Sequence, residues 1–538
     1  MRTLGPLFAA MFLVRGGSAA ETFALSTATI ADINAAFDAG TLTSEKLVAL
    51  CLARIAAYDE AGPKLNAVLA LNPKALDEAR ALDRERKAKG RRSPLHGIPV
   101  VLKDNVDTRD LPTTAGSFAL AGSHPPDDAF IVKKFREAGA IILAKLNMSE
   151  LASGATMSSV GGASLNPHDV DRTPSGSSGG TGVAIAAGYA PVGIGTDTGG
   201  SIRGPAAANG IVGLKPTHGL VSRDGIVPLA LSFDTAGPMA RHVYDVAAAL
   251  GVIAGVDPAD DATRKGEGKV ESDYTKFLDA QALAGARLGI ARDFMGQDPE
   301  TDWIVEASLD AMRAAGATFV DVKFPKWLLS SREEFYFTIR HREFKAQIAD
   351  YLKTLGPGYP KTLDELLARS KALISPSADG AVPNPVRWEL MGREEKSGTL
   401  EDYDYLAVRD HVLPLMRAMI EGVMSKEKLD AIVYPTSPRR PGRTDEDPPP
   451  GGPTSPMGLT SPLSPTNIAN LTGFPDLIVP AGFTARRLPI GLSFLGVAFS
   501  EPRLLALGYA FEQATHAIRT PVNAPPLAGE TIPAIQRR

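Results

Sequence analysis

The chain has 538 residues, 44% of them hydrophobic and 22% charged, and a formal net charge of −4. This balance is typical of a globular protein with a large core, and a mildly acidic chain lacks the basic footprint of a nucleic-acid binder. The single cysteine, Cys51, excludes an internal disulfide and a cysteine-based metal site, and its apolar helical surroundings predict a core position.

The first 20 residues have the pattern of a signal peptide. Arg2 precedes an apolar run over 4–14, and small residues over 16–20 end in a cleavage-type site after Ala20. We therefore predict export, to the periplasm or out of the cell, with a cytoplasmic protein as the alternative. No later segment has the ~18 uninterrupted apolar residues of a membrane helix, so we expect no stable membrane insertion.

Strands and helices alternate through the first half of the chain. Apolar spacing predicts a helix over 44–58, followed by a helix with Asn72 as its cap, Pro73 as its first residue and Gly90 just past its end. Further apolar runs predict helices over 127–138 and 183–190, and strands over 97–102, 140–144 and 191–195. Short connections between such elements indicate an α/β fold, with helices covering both faces of a sheet.

The second half continues this pattern. A strand–helix–strand unit is predicted over 287–322, with its helix over 302–314, and a long charged helical stretch follows over 331–428. The stretch 437–465 is so rich in proline and glycine that it predicts a long surface loop. The remaining predicted elements are strands over 430–434, 476–480 and 489–495, and a helix over 501–518.

Two serine–glycine runs, over 175–180 and 196–201, carry the strongest chemical signal. Clustered glycines let several backbone N–H groups converge beside a serine hydroxyl, which is the arrangement that stabilises an oxyanion. A serine nucleophile also needs a base. Lys103 ends an apolar strand, where desolvation favours its neutral form. Loop positions predict solvated side chains for the histidines near the runs, which are His124, His168 and His218.

Five segments together resemble the amidase signature family, and within it they are most similar to bacterial peptide amidases and aryl acylamidases. The segments are 97–105 (GIPVVLKDN), 176–180 (GSSGG), 195–203 (GTDTGGSIR), 210–217 (GIVGLKPT) and 234–241 (DTAGPMAR). The resemblance runs over 28–250 and resumes over 430–520. It implies one amidase domain over 21–538, with a large central mixed sheet and a helical insertion. Residues 251–429 are then a variable region that shapes the substrate pocket.

The resemblance also implies a Ser–cis-Ser–Lys triad. Ser201 is the expected nucleophile, Ser177 the proton relay that follows a cis peptide bond, and Lys103 the terminal base. The Ser201 N–H completes an expected oxyanion hole with Thr198, Gly199 and Gly200. Expected supporting residues are Ser178, Asp197 and Arg203, and Lys215 is expected to be structural. No metal and no cofactor are required by this chemistry.

The predicted substrate pocket is lined by the loop over 151–162 and the proline-rich stretch over 437–465. Within the loop we single out Leu151, Gly154, Ala155 and Met157. These segments are small, apolar and without a charge cluster, which favours a neutral small-molecule or peptide amide, such as a peptide C-terminal amide or an aryl or alkyl amide, with esters as a second bond type.

Three other functions remain open at this point. The G-x-S-x-G pattern at 176–180 matches α/β-hydrolases with Ser178 as the nucleophile, but that motif needs a buried strand before it, and Pro174 lies there. An ammonia-releasing component of an amidotransferase would supply a partner in the cytoplasm. A non-catalytic binding protein on an amidase scaffold is disfavoured because Lys103, Ser177 and Ser201 are all present.

Overall fold

A mixed sheet of eleven strands forms the centre of the protein, and the computed structural model describes residues 22–153, 156–444, 465 and 467–533. Two further sheets have two strands each, β1 with β15 and β5 with β6. All the described strands are β1 (Thr22–Ala24), β2 (Val68–Leu71), β3 (Pro99–Lys103), β4 (Ile141–Leu146), β5 (Met157–Ser158), β6 (Gly162–Ala163), β7 (Val192–Asp197), β8 (Val212–Lys215), β9 (Thr235–Ala240), β10 (Arg287–Ala291), β11 (Thr318–Val322), β12 (Ala431–Pro435), β13 (Asp476–Phe483), β14 (Pro489–Leu495) and β15 (Thr531–Pro533).

Helices flank this sheet. They are α1 (Ile30–Asp38), α2 (Ser44–Ile55), α3 (Ala75–Lys89), α4 (Phe130–Glu137), α5 (Gly179–Ala186), α6 (Arg203–Asn209), α7 (Val243–Ile253), α8 (Pro299–Ala314), α9 (Lys326–Thr354), α10 (Leu363–Lys371), α11 (Pro385–Glu395), α12 (Tyr403–Ala407), α13 (Leu413–Glu427), α14 (Asn467–Thr472) and α15 (Glu501–Thr515). None of the described helices is long and apolar enough to cross a membrane.

The strand order in the central sheet is β11-β10-β12-β14-β13-β8-β9-β7-β3-β4-β2. Strands β7, β3 and β4 are mutually parallel, as are β11, β10 and β12, and antiparallel pairs join these two groups. The α/β class, the mixed sheet and the single large domain are therefore confirmed. Because the carboxyl ends of parallel strands lie at one edge of a sheet, the residues that follow β3, β4 and β7 meet there.

Most of the predicted elements are present, with shifted ends. The strand–helix–strand unit is confirmed, and its β10 and β11 pair in parallel, with Leu288 opposite Phe319. Cys51 is buried, as predicted. The predicted start of the second helix is wrong. The Asn72 side chain accepts a hydrogen bond from the Lys74 N–H at 2.8 Å, which forms a turn over Pro73 and delays the helix to Ala75.

Helices α9 to α13 lie between β11 and β12 in the chain and form the helical insertion. The two ends of the described chain are joined, because β1 pairs with β15 and the buried Arg54 forms an ion pair with Glu530 at 2.8 Å. The predicted signal peptide and residues 445–464 of the predicted proline-rich loop lie outside the described residues. The described start of that loop is held by the Thr173 N–H, which donates to Gly442 O at 3.0 Å.

Candidate active site

Lys103 is the last residue of β3, between β7 and β4, and its side chain is fully buried. Its Nζ lies 2.7 Å from Ser177 Oγ and 2.7 Å from Thr196 Oγ1. The structure therefore brings together two of the three side chains that the sequence predicts as a proton path, although they are 74 residues apart. Thr196 is a further partner of Lys103 that was not predicted from the sequence.

Burial controls the protonation of Lys103. Loss of hydration lowers the pKa of Lys103 from 10.5 to about 7, against the opposing effect of the Asp197 and Asp234 carboxylates. A lysine with this pKa carries an available lone pair at neutral and mildly alkaline pH. It can therefore accept a proton under conditions where a surface lysine stays charged.

The loop before α5 holds the two predicted serines, Ser177 and Ser178. The Gly176–Ser177 peptide bond is cis, as the family resemblance implies. Ser177 O accepts a hydrogen bond from the Ser149 N–H at 3.0 Å, which ties the loop to the end of β4. The Ser178 hydroxyl is fully buried and donates to Thr196 O at 3.2 Å. Ser178 thus fixes this loop against β7.

Ser201 lies in the turn between β7 and α6 and is 5% exposed. Its carbonyl oxygen accepts a hydrogen bond from the Ser178 N–H at 3.2 Å, so the two serine–glycine runs touch directly. With Ser177 next in the chain to Ser178, the predicted nucleophile and the predicted relay belong to adjoining loops. Both loops are also held at Thr196. The loop with Ser177 is hydrogen-bonded to it through Ser178, and the loop with Ser201 follows it in the chain, directly after β7.

Asp197 folds the turn that carries Ser201. Its Oδ1 accepts a hydrogen bond from the Gly200 N–H at 2.8 Å, and its Oδ2 accepts one from the Ile202 N–H at 3.0 Å. Gly200 has a φ of 124°, which favours glycine. Because its N–H is already used by Asp197, Gly200 shapes the loop rather than offering a donor, and the predicted set of oxyanion donors is corrected at this residue.

The remaining predicted donors are free. Within the described ranges, the backbone N–H groups of Thr198, Gly199 and Ser201 donate to no protein acceptor. The Thr198 hydroxyl donates to Asp234 Oδ1 at 2.5 Å, which holds the first of these residues in place. Gly199 lies against Tyr336, and a Cβ at this position would be 2.7 Å from the tyrosine hydroxyl oxygen. Any larger residue at this position would have to displace the Tyr336 side chain.

Arg203 belongs to a buried polar cluster. Its guanidinium donates to Asp197 Oδ2 at 3.1 Å, to Asp476 Oδ2 at 3.0 Å and to Asn470 Oδ1 at 2.5 Å. Tyr434 completes the cluster, since its hydroxyl donates to Asp476 Oδ2 at 2.8 Å. The roles of Asp476, Asn470 and Tyr434 were not predicted from the sequence. The resemblance that resumes after residue 430 was the signal that pointed to this part of the chain.

We expect Asp197→Asn to lower the free energy of unfolding by about 3 kcal/mol, because it removes one of the two carboxylates that pair with a fully buried guanidinium. Chemical denaturation with a fixed m-value measures this loss. Asp261→Asn is the matched control, since its ion pair with Arg264 is exposed and we expect no measurable change there. An Asp197→Asn protein as stable as the wild type would show that Asp197 is not the anchor of the loop.

The expectation of solvated loop histidines is wrong for His168. Its side chain is 6% exposed, its Nε2 lies 3.0 Å from Asn209 O, and burial lowers its pKa to about 4. The sequence could not show that the loop is covered by Phe483, whose ring centroid lies 5.3 Å away. No histidine in the described part of the chain is bonded to Lys103, Ser177 or Ser201.

The predicted pocket residues are only partly placed. Leu151 is 2% exposed and packs in an apolar cluster with Phe344 of α9. Its place on a pocket wall stays a prediction. Met157 is half-buried in β5, and its carbonyl oxygen accepts a hydrogen bond from Asn384 at 3.4 Å. Gly154 and Ala155 lie outside the described residues.

Comparison with known proteins agrees with this architecture. A probable amidase of Arabidopsis thaliana is 35% identical over 517 residues, which cover 93% of this chain and 92% of that protein. A glutamyl-tRNA(Gln) amidotransferase component from Chloroflexus aggregans is 36% identical over 500 residues, which cover 90% of this chain and 96% of that one.

Among solved structures, the native peptide amidase from Stenotrophomonas maltophilia is similar, with a TM-score of 0.81 and 40% identity over 93% of this chain and 99% of that one. The Amidase family model matches residues 46–505. The chain therefore belongs to the amidase family and is an amide-hydrolysing enzyme.

Proposed function

We propose that this enzyme hydrolyses neutral carboxylic amides through an acyl-enzyme on Ser201, with Ser177 as proton relay and Lys103 as terminal base. The observation that carries the proposal is the 2.7 Å separation of Lys103 Nζ and Ser177 Oγ at a fully buried site. Burial lowers the pKa of Lys103 to about 7, which makes its neutral form accessible near physiological pH.

The reaction proceeds in two halves. In the first, Ser177 passes a proton to Lys103 and takes the proton of Ser201, whose Oγ forms a bond to the amide carbon. The oxyanion is held by the N–H groups of Thr198, Gly199 and Ser201. The C–N bond then breaks, and the proton stored on Lys103 returns through Ser177 to the leaving nitrogen. In the second half a water molecule repeats these steps and releases the acid and free Ser201.

The alternative nucleophile, Ser178, is disfavoured by its surroundings. Its hydroxyl is fully buried and donates to Thr196 O, and it also accepts from the Thr196 N–H at 3.3 Å. The described chain before it is a loop, whereas a nucleophile elbow requires a preceding strand. A non-catalytic scaffold is disfavoured because the predicted base and relay lie within hydrogen-bond distance.

The substrate class proposed is a peptide C-terminal amide, or an aryl or alkyl amide of similar size. The similarity to a peptide amidase structure, at 40% identity over nearly the whole of both chains, supports this choice. An ammonia-releasing role in an amidotransferase is a second candidate, because the amidotransferase relative is 36% identical over 96% of its length. The two roles differ in whether the enzyme alone turns over a peptide amide.

Product analysis by mass spectrometry tests the proposal. The purified enzyme and its Ser201→Ala variant are each given peptide C-terminal amides, acyl anilides, fatty amides, aryl esters and free glutamine. We expect the wild type alone to convert peptide amides to acids. Preference for anilides or esters would keep the proposed mechanism and change the substrate class. Turnover of glutamine alone would favour the amidotransferase role.

We expect kcat/KM to rise as the pH increases through about 7 and then to level off, because protonated Lys103 cannot act as a base. The direction follows from the sign of the shift: the free amine is the active form, so activity is lost on the acid side. Initial rates measured from about pH 5 to about pH 9 give this profile. A constant melting temperature over the range is the control. An acid limb near the pKa of a carboxylate would contradict the assignment.

A further inference from the structure

Thr196 contacts the predicted base from a position that the proposed mechanism does not use. It is 5% exposed on β7, and its Oγ1 lies 2.7 Å from Lys103 Nζ while its carbonyl oxygen lies 3.4 Å from the same atom. Asn105, two residues after Lys103, donates from Nδ2 to Thr196 Oγ1 at 3.1 Å. The threonine hydroxyl is thus fixed between the lysine and a buried amide.

Counting protons shows why this contact matters. A neutral lysine amine has two N–H donors and one lone pair, and Ser177 can pass a proton to Lys103 only along that lone pair. The Thr196 carbonyl can only accept, so it takes one N–H. One N–H and the lone pair of Lys103 are then left for the hydroxyls of Ser177 and Thr196. If Thr196 donated to the lone pair, Ser177 would be left as an acceptor and the base would be blocked.

A small cavity next to Thr196 can admit a water molecule as another acceptor for its hydroxyl proton. The cavity has room for about one water molecule and is lined by Asn105, Thr196 and Asp234 among others. Asn105 Oδ1 is buried and has no partner in the described part of the chain. A water that accepts from Thr196 Oγ1 and donates to Asn105 Oδ1 satisfies both groups, and it leaves Thr196 as an acceptor toward Lys103.

We propose that Thr196, held by Asn105, is a positioning residue that directs the lone pair of Lys103 toward Ser177. The inference rests on the proposed function, because it assigns Lys103 the role of base. The charged groups that face Lys103 are the carboxylates of Asp197 and Asp234, and both stay in place when Thr196 is changed.

Thr196→Val removes the hydroxyl and keeps the shape of the side chain. We expect kcat to fall about tenfold with KM unchanged, because Thr196 touches the base and not the substrate. The lost acceptor stabilised the ammonium form, so the pKa of Lys103 falls. The acid limb of kcat/KM therefore moves about one unit toward lower pH. Thr196→Ser keeps the hydroxyl and is expected to restore both kcat and the position of the acid limb.

Thr181→Val is the matched control. The buried Thr181 hydroxyl donates at 3.4 Å to Ile194 O of β7, the strand that contains Thr196, and it does not touch Lys103. It is expected to leave the acid limb in place. Asn105→Leu provides a second probe if the Thr196→Val protein fails to fold, and we expect a several-fold loss of kcat with KM unchanged. A Thr196→Val enzyme with wild-type kcat and an unmoved acid limb would overturn the inference.

The same assay separates this inference from the proposed function. If Ser201→Ala is inactive while Thr196→Val and Asn105→Leu both match the wild type, only the role of Thr196 is wrong. If Ser201→Ala keeps the wild-type rate, the proposed function and this inference fail together. A loss in Thr196→Val that Thr196→Ser does not restore, without movement of the acid limb, also counts against the inference.

Discussion

Ser201→Ala is expected to lower kcat by about 10,000-fold or more, with residual turnover left to the oxyanion donors and substrate binding. The size follows from the mechanism, since without the hydroxyl no acyl-enzyme forms and water must attack the amide directly. The fold should survive. The Ser201 contact given by the structure is made by its backbone oxygen, which accepts from the Ser178 N–H and is kept in alanine. Steady-state kinetics measure the loss of kcat, and a thermal melt measures whether the fold keeps its stability.

Two serine variants make this result specific. Ser178→Ala removes a hydroxyl that bonds the Thr196 backbone, so we expect a loss of about tenfold to hundredfold, far smaller than that of Ser201→Ala. Ser308→Ala removes a hydroxyl that donates to Ile304 O in α8, and it is expected to keep wild-type activity. The account fails if Ser178→Ala is inactive while Ser201→Ala still turns over.

Lys103→Met is expected to lower kcat/KM by about 1,000-fold to 10,000-fold, within the range set by losing both general-base catalysis and nucleophile activation. Methionine keeps an unbranched chain in a fully buried position without a proton acceptor. The residual activity should lose the acid limb near pH 7, because the group that produces it is gone. Rates across pH and a melting curve for each protein check the prediction.

A second buried lysine provides the control for this variant. The pKa of Lys215 is also lowered to about 7 by burial, but its Nζ donates to the carbonyl oxygens of Pro216 and Phe474 and not to a serine. Lys215→Met is therefore expected to lower stability while each folded molecule keeps the acid limb. If the acid limb disappeared in Lys215→Met and persisted in Lys103→Met, the titrating group would be Lys215 and the assignment to Lys103 would be wrong.

The sequence predicted the reacting residues of the site better than the buried polar residues that hold them in place. Lys103 and Ser177 could be named because the motifs that contain them resemble those of the amidase signature family, and the structure places these two side chains in contact. Asn470 in α14 and Asp476 at the start of β13 lie 267 and 273 residues from Arg203, and no local pattern marks them as its partners. Asp476 takes its role only when β13 pairs with β8, and local periodicity does not contain that pairing.

Errors in the sequence-based picture have a common physical origin. Gly200 was expected to be an oxyanion donor, but a carboxylate three residues earlier, Asp197, folds back and takes its N–H. Asn72 forms a turn instead of capping a helix, and His168 is covered by a distant strand. In each case a side chain competes for, or shields, a group that the local pattern treats as free. The α/β class was predicted correctly because it depends on many elements at once, and errors in single elements do not change it.

Capture of the acyl-enzyme shows directly whether Ser201 is the nucleophile. The enzyme is mixed with an excess of an aryl ester of a short acyl chain, quenched in acid, and analysed by intact mass and by mapping of the modified peptide. We expect one acyl group per chain on Ser201, and none in Ser201→Ala. An acyl group on Ser178, or product formation without any adduct while Ser201→Ala keeps its activity, would contradict this expectation.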